Sequence, residues 1–175
     1  MKRLAVLAAT LVIASQASAA SAGEIFGGLY KHDVDTPLTL GDHPEDGVDL
    51  QLGWRGERIG RTPFQPYVFG ALNSAGDTNY AAIGLSAKFG DAVYIRPGLG
   101  LAVHTGSSAN FDNPFNDKIE FGSRILFEPE VGIGVRLAPR ITAEASWVHL
   151  SHAQLFGKQN PGIDNIGVRV NVSLP

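Results

Sequence analysis

Along most of this chain, apolar residues recur at every second position, and no segment carries a convincing helical period. Side chains on a β-strand alternate between the two faces of a sheet, so each such run reads as a strand with one apolar and one polar face. Eight segments fit: 24–33, 47–57, 64–73, 78–89, 92–104, 122–137, 140–152 and 163–174. In the last of these, Ile166, Val168, Val170, Val172 and Leu174 alternate with Asn165, Gly167, Arg169, Asn171 and Ser173. In the fifth, Val93, Ile95, Leu99, Leu101 and Val103 alternate with Tyr94, Arg96, Gly98, Gly100 and Ala102. Eight such strands can close into a barrel, with the apolar face either inside a soluble protein or outside in a membrane. Alternation alone does not choose between the two.

The connections do choose. Those after the first, third, fifth and seventh strands are long or polar (34–46, 74–77, 105–121 and 153–162), and those after the second, fourth and sixth are short (58–63, 90–91 and 138–139). Short turns at one end, longer loops at the other and an even strand number form the outer-membrane pattern. The polar face then becomes the interior. Arg124, Glu128, Glu130, Arg136, Glu144 and Arg169 are expected to pair there, in a space too narrow for a channel.

The N-terminus supports export. Lys2 and Arg3 precede an apolar stretch from Leu4 to Ala14, followed by the small-residue patterns at 17–19 and 20–22. Residues 1–22 are read as a signal peptide cleaved after Ala19 or Ala22, and the apolar run is too short to span a bilayer as a helix. Residues 23–175 form the expected single domain, an all-β, eight-stranded antiparallel transmembrane β-barrel. The absence of cysteine leaves either a soluble core or a closed sheet in a membrane, not disulfides, as the source of stability. A net charge of −3 gives no basic surface for nucleic acid.

Chemistry concentrates in residues 147–164. On the seventh strand, Glu144 and Ser146 share the parity of the polar interior, which places Trp147, His149 and Ser151 on the outward face with Ala145. Asp164 has the outward parity of Ile166 and Val168 on the eighth strand. A nucleophile, a base and an acid able to orient the base thus meet on one face at the long-loop end. The simplest hairpin register sets Ser151 opposite Asp164 and His149 opposite Ile166, with Asp164 a diagonal neighbour of His149.

The pattern Trp147-x-His149-x-Ser151-x-Ala153, followed by Asn160-x-Gly162-Ile163-Asp164 and an amphipathic last strand, resembles the outer-membrane lipid A 3-O-deacylase family. The specific likeness covers roughly the last thirty residues. It implies an eight-stranded barrel whose lipid-facing triad hydrolyses the ester-linked 3-hydroxyacyl chain at position 3 of lipid A. On that resemblance Ser151 is the nucleophile, His149 the general base and Asp164 the orienting acid, while Asn160 supplies an oxyanion or positioning donor. Two positions depart from the family. Its acid is typically Glu, and the residue after its Ser is usually Asn where this chain has His152. Either the imidazole or the backbone N–H of His152 is then the second oxyanion donor. No metal or other cofactor is implied. The expected partners are lipid A or lipopolysaccharide as substrate and the surrounding outer-membrane lipids, with a homodimer left open.

The rival reading is a non-catalytic outer-membrane barrel serving structure or adhesion. A calcium-dependent outer-membrane phospholipase needs a larger barrel than this chain can build. Among other candidates, the 42–46 stretch Asp-His-Pro-Glu-Asp reads as a solvated loop, Glu128 and Glu130 as interior ion-pair members, and Gly98 and Gly100 as relief of crowding inside the barrel.

Overall fold

A computed structural model describes residues 23–36, 45–109, 119–153, 155 and 161–175. The proposed signal peptide and Asn160 lie outside the described residues. Nine strands form one antiparallel sheet: β1 (Glu24–Lys31), β2 (Val48–Arg55), β3 (Phe64–Asn73), β4 (Tyr80–Ala87), β5 (Phe89–Gly90), β6 (Val93–His104), β7 (Ile125–Ala138), β8 (Ile141–Leu150) and β9 (Ile163–Ser173). Neighbours in sequence pair, β1 pairs with β9, and β4 pairs with β6, so the sheet closes on itself. β4 and β5 are one stave interrupted at Lys88, since β5 continues the pairing with β6. The eight expected staves are therefore present in a closed barrel that leaves no free edge.

Closure fixes which face is inside. Leu52, Ile83, Leu99, Ile133, Val168 and their outward neighbours form an exposed apolar belt around the barrel. The interior holds Phe26, Tyr30, Tyr67, Phe69, Tyr80 and Tyr94, together with Arg55, Arg96 and Arg169, all buried. Inside, Glu24, Glu130 and Glu144 pair with arginines, whereas Glu128, expected as an ion-pair member, has no ion pair among the described residues and accepts from a tyrosine hydroxyl instead. Arg169 donates from Nη2 to Glu130 and from Nε to Glu144, each at 2.8 Å, and Arg55 donates to Glu24 at 2.5 Å. Arg96 also donates to Glu24, and Tyr67 donates to Glu128. Such pairing is what makes buried charge tolerable in low dielectric. The crowding reading of the glycines holds as well. A Cβ on Gly98 would lie 2.7 Å from Glu130 Cγ, and one on Gly100 would lie 2.7 Å from Glu128 Oε2.

Two expectations about charge need correction. Arg124 and Arg136 are not interior cations: both are exposed at barrel ends, Arg124 donating to the carbonyls of His104 and Gly106 and Arg136 pairing with Asp91. The interior positions go to Arg55, the last residue of β2, and Arg96 on β6, which meet at Glu24 inside the barrel. Nor is Glu45 a solvated loop residue. It is buried at the long-loop end, accepting from Thr78 N and Oγ1 at 3.0 Å each and from Ile119 N at 3.3 Å.

Glu45 also meets His32, just past β1. His32 Nε2 lies 3.1 Å from Glu45 Oε2, and its Nδ1 lies 2.9 Å from Asp49 Oδ2. Burial disfavours the charged imidazole, but hydrogen bonds to Asp49 and Glu45 outweigh it and push His32 up to about 9. Burial likewise opposes ionisation of Glu45, yet the His32 and Thr78 hydrogen bonds hold its carboxyl below the usual range. This cluster ties three loop segments together over the barrel mouth.

Candidate active site

β8 and β9 set the site. Along β8, Glu144, Ser146, Val148 and Leu150 point into the barrel and are buried, so Trp147 and His149 occupy the outward rows, as their parity requires. The β8–β9 register pairs His149 with Asp164, Trp147 with Ile166 and Leu150 with Ile163. This differs by two residues from the register expected from the sequence, in which Ser151 faced Asp164. The pairing with β9 stops at Leu150, one residue short of Ser151, so the hairpin closes earlier than a strand reaching 152 requires. A shift of two preserves parity, and every residue keeps its face.

The shift brings acid and base directly opposite each other. His149 Nδ1 lies 2.8 Å from Asp164 Oδ1. The same oxygen accepts from Trp147 Nε1 at 2.7 Å, and Asp164 Oδ2 accepts from Thr36 Oγ1 at 2.6 Å. The Trp147 and His149 rings stack with centroids 5.8 Å apart and planes 25° from parallel. Asp164 is thus completely buried although it stands on the outside of the barrel. His149 and Ser151 are only 9% and 7% exposed, so the three polar groups are sheltered, not laid open to lipid as their outward parity suggested. The cause is energetic: an uncovered carboxylate on an apolar surface is costly, and charge-assisted donors on both oxygens remove that cost.

Ser151 is held from the other side. Its N–H donates to Phe127 O at 3.1 Å, and its carbonyl accepts from Phe127 N at 2.7 Å. This isolated bridge keeps the β7–β8 register after the regular ladder has ended, beyond Pro129, which has no N–H to give. Ser151 therefore stands two residues past His149 on the same outward row. Among the described residues, no hydrogen bond joins Ser151 Oγ to His149. With Nδ1 committed to Asp164, Nε2 is the imidazole atom left for a proton from the serine. Gly162 packs against that ring edge: a Cβ there would lie 2.8 Å from His149 Cε1 and 3.2 Å from Nε2. His152 follows on the inward parity of Val148 and Leu150 and is completely buried.

Sequence reasoning placed His149, Ser151 and Asp164 together, and missed two donors. Trp147 had a legible signal, since it shares the outward row of β8 and is a diagonal neighbour of Asp164. Thr36 had none. It lies 128 residues from Asp164, on a segment with no strand pattern.

The arrangement can orient and charge-stabilise an imidazole beside a serine, on an apolar outer wall. The family model for lipid A 3-O-deacylase (PagL) matches residues 46–173, a span that contains His149, Ser151 and Asp164. Among solved structures, the crystal structure of the outer membrane enzyme PagL shares the fold at a TM-score of 0.59 and 18% identity, over 85% of this chain and 98% of that one. Neisserial surface protein A (NspA) does so at a TM-score of 0.53 and 17% identity, over 87% and 97%. No curated protein sequence matches the chain.

Proposed function

This chain belongs to the lipid A 3-O-deacylase (PagL) family, and from that premise we propose that it is an outer-membrane serine esterase that removes the 3-O-linked 3-hydroxyacyl chain of lipid A. The observation that carries the reading is the His149–Asp164 hydrogen bond on the outward face of the barrel, with Ser151 two residues past His149 on the same row. A barrel serving only structure or adhesion has no use for a carboxylate fixed by three donors outside its own charged interior. The exposed apolar belt supports residence in the outer membrane, reached by means of a signal peptide over residues 1–22. The site then lies at the long-loop end, facing the outer leaflet where lipid A is found.

In this reading Ser151 Oγ attacks the ester carbonyl carbon while His149 Nε2 takes the serine proton. Asp164 holds the imidazole through Nδ1 and stabilises its charged form. The negative charge on the former carbonyl oxygen is met by the backbone N–H of His152 and by Asn160. The His152 imidazole follows the interior parity, away from the outward row that carries Ser151, so of the two His152 groups the main-chain N–H is the one assigned this role. Collapse expels the sugar oxygen, which takes the proton from His149. Water, deprotonated by His149, then attacks the acyl-enzyme and releases the 3-hydroxy fatty acid. The chemistry requires no metal or other cofactor.

The test is mass spectrometry of lipid A from cells producing wild type or Ser151→Ala. Wild type is expected to yield lipid A lighter by one 3-hydroxyacyl chain, and the variant to leave lipid A intact at equal barrel yield. Equal deacylation by both removes the serine mechanism. Loss of a different acyl chain keeps the mechanism and moves the substrate position.

A further inference from the structure

β1 ends at Lys31, but the chain does not leave β9 there. Asp33 N donates to Asn165 Oδ1 at 3.0 Å, and Val34 N donates to Asp164 O at 2.7 Å. Residues 33–36 thus run as a strap along the start of β9, one residue beyond another, past the last ladder pair of Lys31 with Ile166. The strap is itself anchored. Asp33 adopts a left-handed φ of 49°, its Oδ2 accepts from Glu45 N at 3.3 Å, and Glu45 sits in the buried His32 cluster. At the far end of this strap Thr36 Oγ1 reaches Asp164 Oδ2 at 2.6 Å.

The two oxygens of Asp164 are therefore divided between different parts of the molecule. Oδ1 serves β8, through Trp147 and His149, and Oδ2 serves the first loop, through Thr36. The Thr36 hydroxyl restrains the terminal torsion of this carboxylate, which is otherwise soft, and a carboxylate that turns about it carries Oδ1 away from the imidazole.

We propose that Thr36 is a positioning residue of this site: its hydroxyl fixes the Asp164 carboxylate, so that the first loop, and not the β8–β9 hairpin alone, sets the orientation of His149. The proposal rests on the esterase reading above for its kinetic consequences, though not for its geometry. Its role is exerted through Asp164, and it is not assigned as a catalytic residue.

The experiment compares Thr36→Val, which keeps the shape and removes the hydroxyl, with Thr36→Ser, which restores it. Purified full-length barrels in detergent micelles are assayed on lipid A, with Ser151→Ala as the inactive reference. The imidazole N–H protons are followed by NMR in the same samples. Thr36→Val is expected to lower kcat about tenfold, the scale of one hydrogen bond to a charged group, with KM unchanged. The His149 Nδ1–H resonance should shift, and Thr36→Ser should restore both kcat and the resonance. Wild-type kinetics and an unmoved resonance in Thr36→Val would overturn the proposal. So would an equal loss in Thr36→Ser and Thr36→Val with the resonance unmoved, which marks a packing role for the threonine. If Ser151→Ala proves as active as wild type, the esterase reading fails instead, and the Nδ1–H resonance of the two Thr36 variants still decides whether Thr36 positions the Asp164–His149 pair.

Discussion

Gly162→Ala is the sharpest probe of the site, because it adds one methyl group beside the base and alters no polar atom. The added Cβ would stand 2.8 Å from His149 Cε1 and 2.8 Å from Leu150 O. Ordinary carbon contacts begin near ~3.5 Å, so the methyl is short of room by roughly 0.7 Å against the imidazole. Leu150 cannot yield, because its backbone is locked in the last ladder pair with Ile163. Gly162 does not need a left-handed φ, so backbone strain adds nothing. Residue 162 must therefore back away from Leu150 O, and the imidazole must give way to the new methyl by up to about the shortfall. A displacement near 1 Å costs a well-aligned reaction about a hundredfold, and a somewhat smaller one places the expected loss at about 10- to 100-fold in kcat. The overpacking penalty on stability is about 1–3 kcal/mol, which a closed barrel should survive. The assay is lipid A deacylation by reconstituted protein, with heat-modifiable gel migration as the check on folding. A folded Gly162→Ala barrel within twofold of wild-type kcat would refute the placement of His149 as the base.

Asp164→Asn should preserve the barrel while lowering kcat by about 10⁴, by analogy with other triads in which the acid fixes the imidazole tautomer. Wild-type turnover by a folded Asp164→Asn barrel would remove Asp164 from the mechanism. The His32 cluster predicts a pH-dependent mouth. His32 is raised from 6.5 to about 9 in the folded state, so its contribution is fully present below pH 6.5 and is lost as the pH climbs through 9. The loss is on the order of 3 kcal/mol. Urea midpoints should therefore fall between pH 6.5 and 9, and His32→Gln should flatten that slope; an equal slope in both proteins contradicts the assignment. Leu99, mid-strand on β6 and 59% exposed, belongs to the apolar belt. Leu99→Arg should destabilise insertion into bilayers by about 2–4 kcal/mol, and unimpaired folding into lipid vesicles would argue against a membrane-facing belt there.

The period-two pattern determined the strands, their number and which residues share a face, because alternation is a local property of extended backbone. It also placed His149, Ser151 and Asp164 on the wall opposite the interior charges, since parity survives any even shift in register. Other features depended on closure and on contacts distant in sequence. The two-residue register shift that sets His149 against Asp164 arose from where the β8–β9 hairpin stops pairing. The interior cations proved to be Arg55 and Arg96, not Arg124 and Arg136, because position along the barrel axis, which alternation does not encode, decides whether a side chain is enclosed. Burial of Asp164 beneath Trp147 and Thr36 brings together three segments of the chain, and a hydrogen bond spanning 128 residues leaves no trace in any local pattern. The sequence thus wrote the faces of the sheet, while closure of the sheet and the strap over β9 decided how far the acid could move.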